Sequence, residues 1–211
     1  MTAPGPLLIA CALGIEALAL RTGTRAGAPG DHTLLRTGMG PAAAERALTE
    51  ALTRPGLDGA AVLATGFCAG LLPGMRPGDL VVAEETRDPR GSVPGTELPS
   101  LVRALSRTLP GRTVHTGPLI GSDHVVRGPE RARLRAGGAV AVDMESAATL
   151  WTATRGHPGR PVAAVRVIVD APGHELVRIG TLRGGISAFR VLRAVLPAFF
   201  DWHRSLLLPR R

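Results

Sequence analysis

Acidic residues stand where apolar runs end. The stretch Ala139–Ala148, AVAVDMESAA, passes from apolar residues into Asp143-Met144-Glu145 and then into small ones. Glu16 comes after the first apolar run, Leu7–Leu13, across Gly14. The run Thr113–Ile120 leads into Gly121-Ser122-Asp123, and Pro161–Val169 ends in Asp170. A carboxylate at the C-terminal end of a strand stands where open α/β sheets bind their ligands. Beside an apolar methionine it suits a sugar, the acid bonding hydroxyls and the thioether packing on the ring. Asp143 or Glu145 would equally serve to cap the next helix. This stretch alone leaves both readings open. One acid at a strand end is ordinary, whereas several converging on one sheet edge suggest a site.

Such convergence requires a sheet whose strands all deliver their ends to one region. Apolar runs predict strands at 7–13, 32–36, 59–65, 80–83 and 113–120, another opening at Ala139, and a last one at 161–169. Helices are expected at 15–20, 42–53, 101–109 and 129–135, after Glu145 to about Thr154, and at 182–208. Residues 84–100, with Pro and Gly throughout, read as a loop. Apolar strands alternating with helices predict one three-layer α/β/α domain over residues 1–211, with a central mixed sheet. Two strands run into glycine-containing turns. Thr37-Gly38-Met39-Gly40 precedes Pro41, a residue suited to a first helical turn, and a short GxG there can cradle an anion. In Gly66-Phe67-Cys68-Ala69-Gly70, the small residues let backbone approach a ligand closely.

Composition narrows the class. The chain has no Lys, so Arg alone carries the net charge of +8, and aromatics are only 3%. The Arg residues are scattered and stacking residues scarce, which argues against nucleic acid as a partner. Cys11 and Cys68 sit in apolar runs with no metal-ligand spacing and no disulfide framework, as expected of buried thiols in a reducing cytoplasm. The apolar N-terminus lacks a basic leader and is interrupted by Glu16, which argues against a signal peptide. No run is long enough to span a membrane. Toward the C-terminus, Phe189, Leu192, Leu196, Phe199 and Phe200 form an apolar stripe accompanied by Arg190, Arg193, Arg204, Arg210 and Arg211. A basic amphipathic helix of this kind either lies on an anionic membrane surface or packs its stripe on the sheet or a second subunit.

Six segments, in order, resemble the purine nucleoside phosphorylase / methylthioadenosine nucleosidase superfamily: ALGIE, TGMG, ATGFCAGLLPGMRPGDLVVAEE, PLIGSDHVV, VDMES and VRVIVD. The resemblance implies a nucleoside phosphorylase-like fold and cleavage of a purine N-glycosidic bond. It implies that Glu145 binds the ribose hydroxyls with Met144 on the sugar, and that Asp170 is the general acid toward the leaving base. Glu16 matches the acid that activates water in the nucleosidases. Val125 and Val126 match positions beside the base, Phe67 supplies part of the stacking surface, and Ala69 and Gly70 line the base pocket through their backbone. An oxocarbenium-like sugar needs nearby negative charge, and the departing base needs a proton. The apolar neighbours of Asp170 suit a carboxylic acid that keeps its proton. Val169 stands where nucleosidases carry Ser, so one orienting hydroxyl is missing.

The nucleophile and the substrate remain to be chosen. Phosphorylases of this kind carry Arg and Ser where this chain has Ala64 and Phe67, which favours water over phosphate. No cofactor is expected, inorganic phosphate being a co-substrate only if the reaction is phosphorolysis. Within the superfamily, IACALGIEALAL with FCAGLLPGMRPGDLVVAEE most resembles the hopanoid-associated branch, which removes adenine from adenosylhopane. That implies a small-molecule purine nucleoside, here lipid-linked, a homo-oligomer, and a cytoplasmic protein with an optional peripheral contact at the inner membrane face through the C-terminal helix. The alternatives are a methylthioadenosine/adenosylhomocysteine nucleosidase, a futalosine hydrolase, or a binding module without turnover.

Overall fold

The computed structural model describes residues 5–24, 32–172 and 181–207. Strand β1 (Leu7–Cys11) is buried at every position, as a strand covered on both faces must be. It pairs in parallel with β2 (His32–Arg36) on one side and β3 (Ala61–Gly70) on the other. Beyond β3 the sheet closes on itself. β3 runs parallel to β8 (Val162–Asp170), β8 antiparallel to β4 (Leu80–Asp88), and β4 parallel to β6 (Val114–Gly121). β6 is parallel to the short β7 (Ala141–Asp143), which returns antiparallel to the end of β3. The expected mixed sheet is present, and its closure gathers the ends of β3, β7 and β8 in one place.

Helices cover both faces. On one face Ala17 and Leu20 of α1 (Gly14–Thr24) are buried with Leu101 and Leu105 of α3 (Leu98–Thr108). Leu192 of α6 (Thr181–Ala194), with Phe199 and Trp202 of α7 (Leu196–Ser205), completes that layer. On the other face Leu48 of α2 (Pro41–Leu52) packs with Leu150 and Ala153 of α5 (Ser146–Arg155). The short α4 (Pro129–Ala136) has no fully buried residue, but its Leu134 packs against a small cluster of Leu71, Val126, Ala139 and Val142.

Three expectations are corrected. Residues 84–100 are not all loop: β4 continues to Asp88, and β5 (Gly91–Pro94) pairs back onto it as a hairpin. Its charges obscure the strand pattern, because Glu85 and Arg87 pair with each other across a partly exposed edge. Gly66–Gly70 belongs to β3 rather than to a loop after it. The single C-terminal helix is two helices that meet around Val195, with Pro197 in the first turn of α7, where its missing N–H does least harm. Arg210 and Arg211 lie outside the described residues, as do 25–31 of the Gly-rich segment.

The apolar stripe of the last helices is spent on the core. Leu192, Leu196, Phe199 and Phe200 are buried, and Phe189 packs against the same cluster. It therefore lends no support to contact with a membrane. No helix among the described residues is long and apolar enough to cross one. The Trp202 indole N–H also donates to the Thr96 carbonyl at 2.8 Å. Trp202→Ala should lower the unfolding free energy by about 3–5 kcal/mol, read by urea denaturation. A loss below about 1 kcal/mol would mean that α7 is not part of this core.

Candidate active site

At the centre of the closed sheet one strand residue breaks the apolar rule. Arg166 of β8 is 1% exposed, and a buried charge needs partners. Its Nε lies 2.5 Å from Asp143 Oδ2 and donates to Ser146 Oγ at 2.8 Å. Its Nη1 donates to the Thr65 carbonyl at 2.8 Å, and its Nη2 lies 4.0 Å from Glu145 Oε2. Burial works against the guanidinium charge, but Asp143, Glu145 and Glu16 more than offset it, and the net shift of its pKa is upward.

The two acids of the Asp143-Met144-Glu145 segment have separate roles. Asp143 accepts the Ser146 amide, the first of α5, and the Ser146 hydroxyl at 2.6 Å. It therefore anchors the helix start and Arg166. Glu145 accepts the Gly40 amide on Oε1 at 2.8 Å. Burial pushes the Glu145 carboxyl above its ordinary range, Arg166 pulls it down, and Asp143 pushes it up.

Glu16 bonds to backbone. Its Oε2 accepts the amides of Ala12 and Leu13 at 2.9 and 2.8 Å, and its Oε1 accepts the Phe67 amide at 2.8 Å. Both glycine-containing segments thus present amides to the protein's own carboxylates. At Gly66, φ is +135° and a Cβ would lie 2.5 Å from Glu16 Oε1. Only glycine admits the carboxylate there.

These groups face a cavity of about 260 Å³. It is lined by Glu16, Phe67, Ala69, Val125, Val126, Met144, Glu145 and Asp170, all named from sequence. Gly70 is the exception: it is not a lining residue. It pairs with Ala141 one position beyond Ala69, and a Cβ on it would meet Met75 Sδ at 2.8 Å, so its smallness serves packing. Cys68 also lines the cavity, and burial pushes its thiol pKa upward, keeping it neutral. Asp123 does not reach the cavity. It is exposed and bonds to His124 Nδ1 at 2.7 Å.

Asp170 departs from expectation. Between Cys68 and Ala69 the pairing of β3 with β8 shifts: Cys68 faces Ile168, and Ala69 faces Asp170, leaving Val169 as an extra residue. Such bulges re-aim side chains beside functional sites. The surroundings of Asp170 are not wholly apolar, because Arg131 of α4 bonds to its Oδ2 through Nη2. Oδ1 is buried with no hydrogen-bond partner among the described residues.

Sequence reading missed both arginines. Arg166 carried a signal, being the one charge inside an otherwise apolar strand. Arg131 carried none, because α4 is basic along its length. Arg166→Met should reduce stability by about 3–5 kcal/mol at neutral pH. Without the guanidinium, burial and Asp143 would hold the Glu145 pKa further above its unfolded value, so the deficit should grow as pH rises through the carboxylate range. Urea denaturation at acidic and neutral pH measures it. A pH-independent deficit would mean that Arg166 does not hold these acids.

A sequence model of the phosphorylase superfamily matches residues 29–196. No curated protein matches significantly. Among solved structures, the chain is similar to the 5′-methylthioadenosine/S-adenosylhomocysteine nucleosidase of Neisseria meningitidis in complex with methylthio-immucillin-A. Identity is 19% and TM-score 0.74, over 96% of this chain and 100% of that one. The corresponding nucleosidase of Colwellia psychrerythraea, in complex with adenine, matches at 18% identity and TM-score 0.74, over 94% and 96% of the two chains. Futalosine hydrolase of Helicobacter pylori matches at 16% identity and TM-score 0.72, over 97% and 99%.

Proposed function

We propose that this chain, which belongs to the phosphorylase superfamily, hydrolyses the N-glycosidic bond of an adenine nucleoside. The observation that carries the choice of water is the occupation of the amide cradles. The amides of Ala12, Leu13 and Phe67 go to Glu16, and that of Gly40 goes to Glu145. A phosphate placed there would lose those donors and meet two carboxylates, which disfavours it. Water suffers neither penalty. A carboxylate has about four acceptor positions, and Glu16 uses three of them on amides. The remaining one is available to take a proton from water.

In this reading Glu145 holds the ribose hydroxyls and Met144 packs on the sugar. As the glycosidic bond breaks, its electron pair passes to the base and the sugar becomes cationic, next to Glu145 and Glu16. Asp170 gives the base a proton from Oδ1, the oxygen with no hydrogen-bond partner among the described residues. Water adds to the sugar carbon and its proton passes to Glu16. Met39 is 65% exposed, and with Leu13 it gives the cavity an apolar rim. That rim supports a nucleoside with a large apolar 5′-substituent, and adenosylhopane is the substrate we propose.

The experiment is incubation with adenosine, methylthioadenosine and adenosylhopane, with and without phosphate. Adenine release by chromatography is expected to be fastest from adenosylhopane and unchanged by phosphate. Dependence on phosphate would sink the hydrolase reading and favour phosphorolysis. Preference for methylthioadenosine would transfer the chain to that activity. Asp170→Asn should lose about 10²–10⁴-fold in rate while still binding the nucleoside. An unaltered rate would remove Asp170 from the mechanism.

A further inference from the structure

The side chain of Arg131 is partly buried, at 17% exposure, and lines the cavity with Val126 and Asp170. Its Nε donates to the Val126 carbonyl at 3.1 Å, and its Nη2 bonds to Asp170 Oδ2. One rigid guanidinium thus ties the segment before α4 to the bulged end of β8. The residue before Asp170 is Val169, which has no hydroxyl to orient the carboxyl, and Oδ1 has no hydrogen-bond partner among the described residues. Among the described residues, Arg131 is the one whose side chain hydrogen-bonds to the Asp170 carboxyl.

We propose that Arg131 is the positioning residue of the general acid: it clamps Oδ2 of Asp170 and thereby assigns the transferable proton to Oδ1. This rests on the proposed nucleoside hydrolysis. The planar fork of a guanidinium fixes direction as well as distance, which an ammonium would not. With Oδ2 held, the carboxyl plane is set relative to Val126, a wall of the same cavity. As the proton leaves Oδ1 for the base, the electron pair of the O–H bond stays on Asp170 and the carboxylate charge grows. Arg131 meets that charge on Oδ2. Its contribution is therefore larger in the transition state than before it, as rate acceleration requires. A leaving group that needs no proton would not draw on Arg131.

The test compares wild type, Arg131→Met, Arg131→Lys and Asp170→Asn on two substrates with the same sugar and 5′-substituent. One carries adenine, and the other carries 4-nitrophenolate, which departs without a proton. Thermal melting checks that each variant is folded. Arg131→Met should lose about 10- to 100-fold in kcat on the adenine substrate, part of the general-acid contribution, with KM nearly unchanged. On the nitrophenyl substrate its kcat should stay within about twofold, and Arg131→Lys should recover part of the adenine rate. Equal losses on both substrates would show a merely structural role and overturn the inference. So would an unchanged Arg131→Met on adenine, with the hydrolase reading intact if Asp170→Asn is inactive there. If wild-type protein releases no base from any nucleoside, the proposed function falls and this inference with it.

Discussion

The organising constraint is one buried guanidinium. Removing an arginine from water costs several kcal/mol unless charge and hydrogen bonds replace the lost hydration. Arg166 receives both. Asp143 and Ser146 take one side of it, the Thr65 carbonyl another, and Glu145 lies within reach of its remaining nitrogen. These groups come from the middle of β8, the end of β7, the first turn of α5 and the interior of β3. The demand for neutrality at one point therefore locks together the elements that carry the site. It also explains why two acids so close in sequence do different work. Asp143 answers the charge and starts the helix, leaving Glu145 directed at the cavity.

The architecture was legible in the sequence wherever apolar runs were unbroken. Leu7–Cys11 and Val162–Ile168 need burial on both faces, and they received it. The acids that line the cavity were legible too, because each comes just after such a run. The features that escaped did so for physical reasons. The β4–β5 hairpin lies at an edge where charged side chains pair with one another, so period-two alternation is masked. The break in the C-terminal helix turns on the placement of one proline. The pairing of Arg131 with Asp170 joins residues 39 positions apart, and nothing local announces it. Gly70 misled because small size suits close packing against Met75 as well as it suits a pocket wall.

Satisfying backbone donors with side-chain carboxylates has an electrostatic result. Turns that would otherwise offer bare N–H groups to any passing anion are neutralised from within, so the chain's overall positive charge of +8 does not make its cavity an anion trap. Glu16 and Glu145 supply acidic groups to the cavity, and Asp170 in its wall pairs with Arg131.

The extra residue at Val169 carries a consequence for how this family member can vary. Asp170 owes the direction of its side chain to a count of residues along β8 as well as to its own identity. Substituting Val169 by another apolar residue keeps that count. Deleting it would let the ladder close in regular register, with the aspartate still opposite Ala69 but without the bulge that re-aims its side chain. Loss of a single codon there would turn an unchanged aspartate without changing its place in the ladder. At this point in the chain, length is the inherited trait that sets how the acid faces the cavity.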